Sequence, residues 1–174
     1  QIPYAEIAFN SLITVYLVNF FMDAVDRKIL ALLQEDAALS IEKIATKVHL
    51  SSTPCWKRIR RLEKDGVIQK RVALLDAEKV GAGVTVFVAI KTNQHNREWL
   101  DHFASSVEDM PEILDFYRMS GEIDYLLRVV VSDIAAFDDF YQRLISRVPL
   151  SDVTSSFAME KIKHTTALPI ATTE

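Results

Sequence analysis

Between Val84 and Ile162 the spacing of apolar residues runs through one cycle of strand, helix and strand, and then repeats it. Val84, Val86, Val88 and Ile90 alternate with Thr85, Phe87, Ala89 and Lys91, the period of two that specifies a strand. Asn96 to Asp109 carries Trp99, Leu100, Phe103, Ala104 and Val107 on one helical stripe, and Pro111 ends it. Ile113 to Ser120 reads as a strand, Gly121-Glu122 as a turn and Ile123 to Val131 as the next strand. Asp133 can cap a helix with Phe137, Phe140, Tyr141, Leu144, Ile145 and Val148 inward, closed by Pro149, and Val153 to Ile162 is the last strand. Two β-α-β halves of about 40 residues make an α+β unit, a ferredoxin-like βαββαβ sandwich of one antiparallel sheet and two helices. Helices on one face leave the other needing cover. Phe87 and Ala89 make the first strand apolar on both sides, so a second copy of the chain is expected there, giving a homodimer.

The amino-terminal half has a different rhythm. Asp23 can cap a helix from Ala24 to Gln34 with Val25, Ile29, Leu30 and Leu33 inward, and Ser40 a second, Ile41 to Val48, burying Ile41, Ile44, Ala45 and Val48. His49-Leu50-Ser51 then connects tightly to a basic segment. There Ser51 or Ser52 can act as N-cap, Pro54 fits a first turn, and Cys55, Ile59 and Leu62 form a single apolar stripe. Lys57, Arg60, Arg61 and Lys64 point the opposite way, with Arg58 on the flank. Three short helices with a tight turn before the last form a helix-turn-helix, and a cationic third helix suits a DNA groove. Asp65-Gly66 stops this helix, and Val67 to Arg71 is expected to form a minimal wing. Lys57, Arg58, Arg60, Arg61 and Lys64 are the candidates for phosphate contact. Ser52 and Thr53, with whichever arginine reaches a guanine edge, are the candidates for reading sequence.

Charge divides the same way. The formal net charge of −4 conceals 11 Lys/Arg against 7 Asp/Glu between Met22 and Leu75, and 9 against 16 from Asp76 onward. A positive front half meets phosphate while the acidic back half meets something else. One cysteine excludes an intrachain disulfide and fits a reducing cytoplasm; Cys55 lies on the buried stripe, where packing explains it. His49, His95, His102 and His164 are scattered, no Cys-x-x-Cys occurs, and no nucleophile-base-acid grouping appears. No metal site, cofactor or catalytic residue is expected. Residues 1–21 are mostly apolar, are broken by Asn10, Ser11, Thr14 and Asn19, and contain no Lys or Arg. They match neither a membrane span nor a secretory signal. Met22 before Asp23 would be a natural start, so residues 1–21 are expected to be a non-native leader, which the mass of the native protein would check. The expected organisation is leader 1–21, helix-turn-helix 22–71, linker 72–82, ferredoxin-like domain 83–163 and tail 164–174.

Several strings carry a resemblance. Met22-Asp-Ala-Val-Asp-Arg-Lys-Ile-Leu30, Leu50 through Ile68, Gly121-Glu-Ile-Asp-Tyr-Leu-Leu-Arg128 and Ser155-Ser-Phe-Ala-Met-Glu160 together resemble the leucine- and asparagine-responsive regulators, the Lrp/AsnC family. The likeness runs from about Met22 to Ile170. Thr53-Pro-Cys-Trp-Lys-Arg58, Asp152 through Glu160 and Thr165-Thr-Ala-Leu-Pro-Ile170 look closest to its cysteine-responsive branch, while Val148-Pro-Leu-Ser-Asp152 lacks the glycine many relatives place after the proline. The resemblance implies a transcription regulator binding double-stranded DNA as a homodimer, with dimers assembling into an octamer, and no membrane association. It also implies a small effector, usually an amino acid, with cysteine or leucine among the candidates.

Where the effector would bind is partly legible. A glycine at Gly121 lets backbone N–H groups approach a carboxylate, and Asp124 can accept from an ammonium group. Bare chemistry equally reads Gly121 as hairpin punctuation and Asp124 as a strand-edge charge. The resemblance implies that this glycine-to-aspartate loop forms the pocket at a contact between dimers, with Met119, Ser120, Glu122 and Tyr125 near and Ser155 and Ser156 facing it from a neighbouring subunit. Two other readings compete. The two-module order also resembles the sirohaem decarboxylases, tetrapyrrole-binding enzymes that have no use for a cationic groove-reading face. A pure amino-acid-binding or assembly module would not need one either.

Overall fold

The computed structural model describes residues 22–171, so the leader lies outside the described residues. The described residues divide into two compact units, the first comprising residues 22–73 and 164–171, the second Leu74–Lys163. Among the described residues no helix is long and apolar enough to cross a membrane.

The first unit is built on α1 (Ala24–Glu35), α2 (Ile41–Lys47) and α3 (Ser52–Lys64). Two acids start α1 reciprocally. Asp23 Oδ1 accepts from the Asp26 N–H at 2.8 Å, and Asp26 Oδ2 accepts from the Asp23 N–H at 3.2 Å, which satisfies two N–H groups the helix cannot pair itself. Ser40 Oγ caps α2 through the Lys43 N–H at 3.3 Å. The turn into α3 puts His49 at φ 56°, a left-handed conformation unusual for a residue with a Cβ, and the Leu50 N–H reaches back to the Ala45 carbonyl at 2.9 Å. Ser51 is the N-cap of α3 by backbone geometry, yet its hydroxyl makes no capping bond. Gly66, at φ 73°, ends the helix and donates to the Glu63 carbonyl at 3.1 Å. Ile29, Leu30, Ile44, Ala45, Val48, Cys55, Ile59 and Leu62 close the core, with Val25, Leu33 and Ile41 at its margin. Burying each large aliphatic stabilises the unit by about 1.5–3 kcal/mol.

One expectation needs correction here. Val67 to Arg71 forms no strand. Val67 and Ile68 are consecutive, both half-buried against the helical core, so the alternation a strand needs is absent. The tail packs on the first unit: the Leu168 N–H donates to Gln34 Oε1 at 2.6 Å, Gln34 Nε2 donates to the Leu168 carbonyl at 3.2 Å, and Ile170 packs on the same core.

The second unit runs β1 (Val84–Lys91), α4 (Arg97–Val107), β2 (Ile113–Arg118), β3 (Tyr125–Val131), α5 (Ile134–Arg147) and β4 (Asp152–Phe157). The antiparallel sheet has the order β2-β3-β1-β4. Asn96 and Asp133 cap the two helices through Trp99 and Ala136 N–H groups. Val86, Val88, Ile90, Leu127 and Val129 meet Phe103, Phe140 and Leu144 in the core. Trp99, Phe103, Phe116 and Tyr125 form an aromatic cluster with ring centroids 4.8 to 5.6 Å apart. Ala104 is exposed because the buried stripe runs Trp99, Phe103, Val107, and Ile145, one position beyond buried Leu144, is exposed too. β4 stops at Phe157, short of the expected Ile162. The loop without the family glycine is held by Ser151, whose Oγ accepts from the Asn93 N–H and whose N–H donates to the Lys91 carbonyl, both at 3.1 Å. On the far face of the sheet Phe87 and Tyr117 remain exposed beside the Arg128–Asp115 ion pair.

Candidate nucleic-acid interface and ligand loop

Around α3 the side chains fall into three sectors. Cys55, Ile59 and Leu62 are buried. Opposite them, within about 60° of arc at 100° per residue, stand Thr53, Lys57, Arg60 and Lys64, all exposed. Ser52 and Thr53 make no side-chain hydrogen bond, and Lys57 and Lys64 no ion pair, with other described residues. Among the described residues, Arg60 alone in this sector is paired, with Glu63; Lys57 and Lys64 keep their charge for a partner, and charge of this sign displaces counterions from phosphate.

The third sector departs from expectation. Arg58 Nη1 donates to Asp23 Oδ2 at 2.6 Å and to Asp26 Oδ1 at 2.9 Å, and Arg61 forms a short ion pair with Asp26 Oδ2. Asp26 is fully buried. One carboxylate in the first turn of α1 therefore holds two of the five cations expected to meet phosphate. Hydrogen bonds to Asp26 and Asp23 raise the Arg58 pKa further, against desolvation. Arg58 and Arg61 are therefore occupied within the fold, where they fix how α3 lies on α1. Asp23 is legible in the sequence as a cap; Asp26 is not among the residues singled out there, although an acid three residues after a cap is the signal of a reciprocal one. Burial pushes the Cys55 thiol above its ordinary range, with nearby Arg58 opposing, so little of it is the thiolate that redox chemistry needs.

Residues 119–124 join β2 to β3. The Met119 N–H donates to the Asp124 carbonyl at 2.8 Å, closing the loop. Gly121 has φ 129°, and a Cβ there would meet nothing within 4 Å. The glycine is demanded by backbone conformation, not by space. Asp124 Oδ2 accepts from the Thr92 N–H at 2.8 Å, its Oδ1 lies 3.5 Å from His95 Nδ1, and Lys91 Nζ lies 3.8 Å from Glu122 Oε1. Asp124 thus ties the loop to the segment leaving β1 and does not stand free for an ammonium group. Thr92, His95 and Lys91 were not singled out from sequence; no local pattern links them to residues 30 positions on.

The structure brings Met119, Ser120, Gly121 and Glu122 together on an exposed loop. Two other expected pocket residues differ. Tyr125 is 4% exposed inside the aromatic cluster, and burial raises its phenol pKa. It shares strand parity with Leu127 and Val129, so it points into the core. Ser155 pairs with Val88 and Ser156 with Phe87, so these neighbours point to opposite faces of the sheet and cannot both face one pocket.

Similarity to known proteins follows the same two-part division. A winged helix-turn-helix DNA-binding model matches residues 22–69, and the Lrp/AsnC ligand binding domain matches residues 85–168. The DNA-binding transcriptional activator DecR of Escherichia coli K12 is 58% identical over 150 residues, covering 86% of this chain and 99% of that protein. The crystal structure of an AsnC family transcriptional regulator from Agrobacterium tumefaciens superposes with a TM-score of 0.82 at 59% identity, over 85% of this chain and 97% of that one. A transcriptional regulator in complex with L-Met from Neisseria meningitidis gives 0.81 at 36% identity, over 86% and 97%.

Proposed function

Because the chain belongs to the Lrp/AsnC family of DNA-binding transcriptional regulators, we propose that it is a one-component switch in which α3 enters the major groove and the second unit senses an amino acid. It is a regulator and not a tetrapyrrole enzyme, as the names of its relatives indicate. The observation that carries the DNA reading is the exposed arc of Thr53, Lys57, Arg60 and Lys64, on which Lys57 and Lys64 have no ion-pair partner among the described residues. Lys57 and Lys64 meet phosphates, and Thr53, Ser52 and Arg60 read base edges. A homodimer presents two such helices about 34 Å apart and favours a palindromic site. Titration of a labelled duplex at several salt concentrations tests this: substituting the arc must weaken binding, and unchanged affinity would refute it.

The effector reading rests on the Met119–Glu122 loop and its glycine. Backbone N–H groups beside Gly121 suit a carboxylate, and Asp124 holds the loop in shape from beneath. The relative crystallised with L-Met supports an amino acid as the ligand class; cysteine is the first candidate, on the branch resemblance. Thermal-shift screening against the twenty amino acids identifies it, since a ligand that binds only the native state raises the melting temperature. Asp124→Ala should abolish that response and Asp124→Asn weaken it; full retention in both would sink the pocket assignment. Ser155 or Ser156 of a neighbouring subunit completes the pocket. The exposed aromatics of the far sheet face support a homodimer, with dimers assembling into an octamer, which sedimentation would measure. The regulator works in the cytoplasm.

A further inference from the structure

Trp56 is 48% exposed on α3, whereas the other tryptophan, Trp99, is buried in the second unit. Half an indole left in water on a helix of cations does nothing for the core. Its neighbourhood is ordered, however. The Arg60 guanidinium carbon lies 5.8 Å from the Trp56 ring centroid, within cation–π range. Arg60 Nη1 also donates to Glu63 Oε2 at 3.1 Å, and the other Glu63 oxygen accepts from Arg71 at 3.0 Å. Arg60 is therefore held from two sides, while Lys57 and Lys64 on the same arc are not. A guanidinium oriented in advance loses less rotamer freedom when it forms the paired bonds that single out guanine. The indole beside it offers an apolar edge of the kind that packs on a thymine methyl. Four residues separate the two along α3, about 6 Å along the axis, against roughly 3.4 Å between base pairs.

We propose that Trp56 is a specificity-determining residue of the DNA interface, packing on a thymine methyl in the major groove and aiming Arg60 at a guanine one or two base pairs away. This rests on α3 being the groove-reading helix. The probe is a duplex selected by the wild-type protein from a random-sequence library, compared with sonicated genomic DNA as non-specific competitor. Trp56→Ala is expected to weaken binding to the selected duplex about tenfold while leaving non-specific affinity and its salt dependence unchanged, because the indole carries no charge. Trp56→Phe should retain most of the specificity. Replacing the thymines by deoxyuridine should weaken wild type several-fold and Trp56→Ala not at all. Acrylamide should quench Trp56 in the free protein and lose access to it in the complex.

Unaltered specificity in Trp56→Ala, insensitivity of the wild type to deoxyuridine, or undiminished quenching in the complex would each overturn the proposal. So would equal loss of specific and non-specific binding, which marks a backbone contact. If Arg60→Ala, Lys57→Ala and Lys64→Ala also leave binding intact, α3 itself is misassigned. If they weaken it and Trp56→Ala does not, only the role of Trp56 fails.

Discussion

Arg58 and Arg61 lie on one side of α3, and Lys57, Arg60 and Lys64 lie on the other. The first pair is clasped by a buried carboxylate of α1; the second group faces water, with Arg60 steadied by Trp56 and Glu63. The same residue types within one eight-residue run thus have two uses. On the clasped side cationic charge is consumed in docking one helix on another. On the open side it is kept for phosphate and base edges. A tally of Lys and Arg overstates what such a helix offers to DNA, because paired arginines release few counterions.

The sharpest way to break this contrast is at Asp26. Asp26→Ala removes half of the reciprocal cap and the shared partner of two arginines. The first unit should lose about 2–3 kcal/mol, short of the cost of a fully buried pair because both arginines reach solvent. Urea unfolding measures it, and an unchanged midpoint would show that the clasp is ornamental. Arg60→Ala comes next: specific DNA binding should fall by about 1–2 kcal/mol with folding stability unchanged within about 0.5 kcal/mol. Lys57→Ala and Lys64→Ala are milder. Each should lower the slope of log affinity against log salt by about one, whereas Arg58→Met or Arg61→Met should leave it unaltered. A drop for Arg61→Met matching that for Lys64→Ala would mean the clasp opens on DNA.

The smallest effect is in acid. Burial works against ionisation of Asp23, yet the Asp26 N–H and Arg58 together hold its pKa below the ordinary 3.8. A lowered folded pKa stabilises the fold above pH 3.8, and that contribution is lost as pH falls through the lower folded value. Melting temperatures should drop over that window, and Arg58→Met should flatten the drop.

Much of the fold was legible because its signals are local. Asp23, Ser40 and Asp133 cap helices where a short polar residue precedes an apolar stripe, and the twofold strand-helix-strand rhythm yields the sheet. What could not be read joins distant parts of the chain. Nothing near Asp26 announces Arg58, and nothing near Gln34 announces Leu168. That residues 67–71 form no strand follows from Val67 and Ile68 both packing on the core. At the candidate sites the open arc of α3 followed from helical spacing alone. Strand parity, already visible in the alternation, puts Tyr125 at a core-facing position and Ser155 and Ser156 on opposite faces of the sheet.

The Gln34–Leu168 clasp has a kinetic corollary. During synthesis at about 5–20 residues per second, the three amino-terminal helices emerge seconds before the segment that seats Ile170 beside them. A nascent chain therefore carries an unfinished first unit until residues 168–170 have left the ribosome, and substitutions at Leu168 or Ile170 would be felt first in the stability of the three helices.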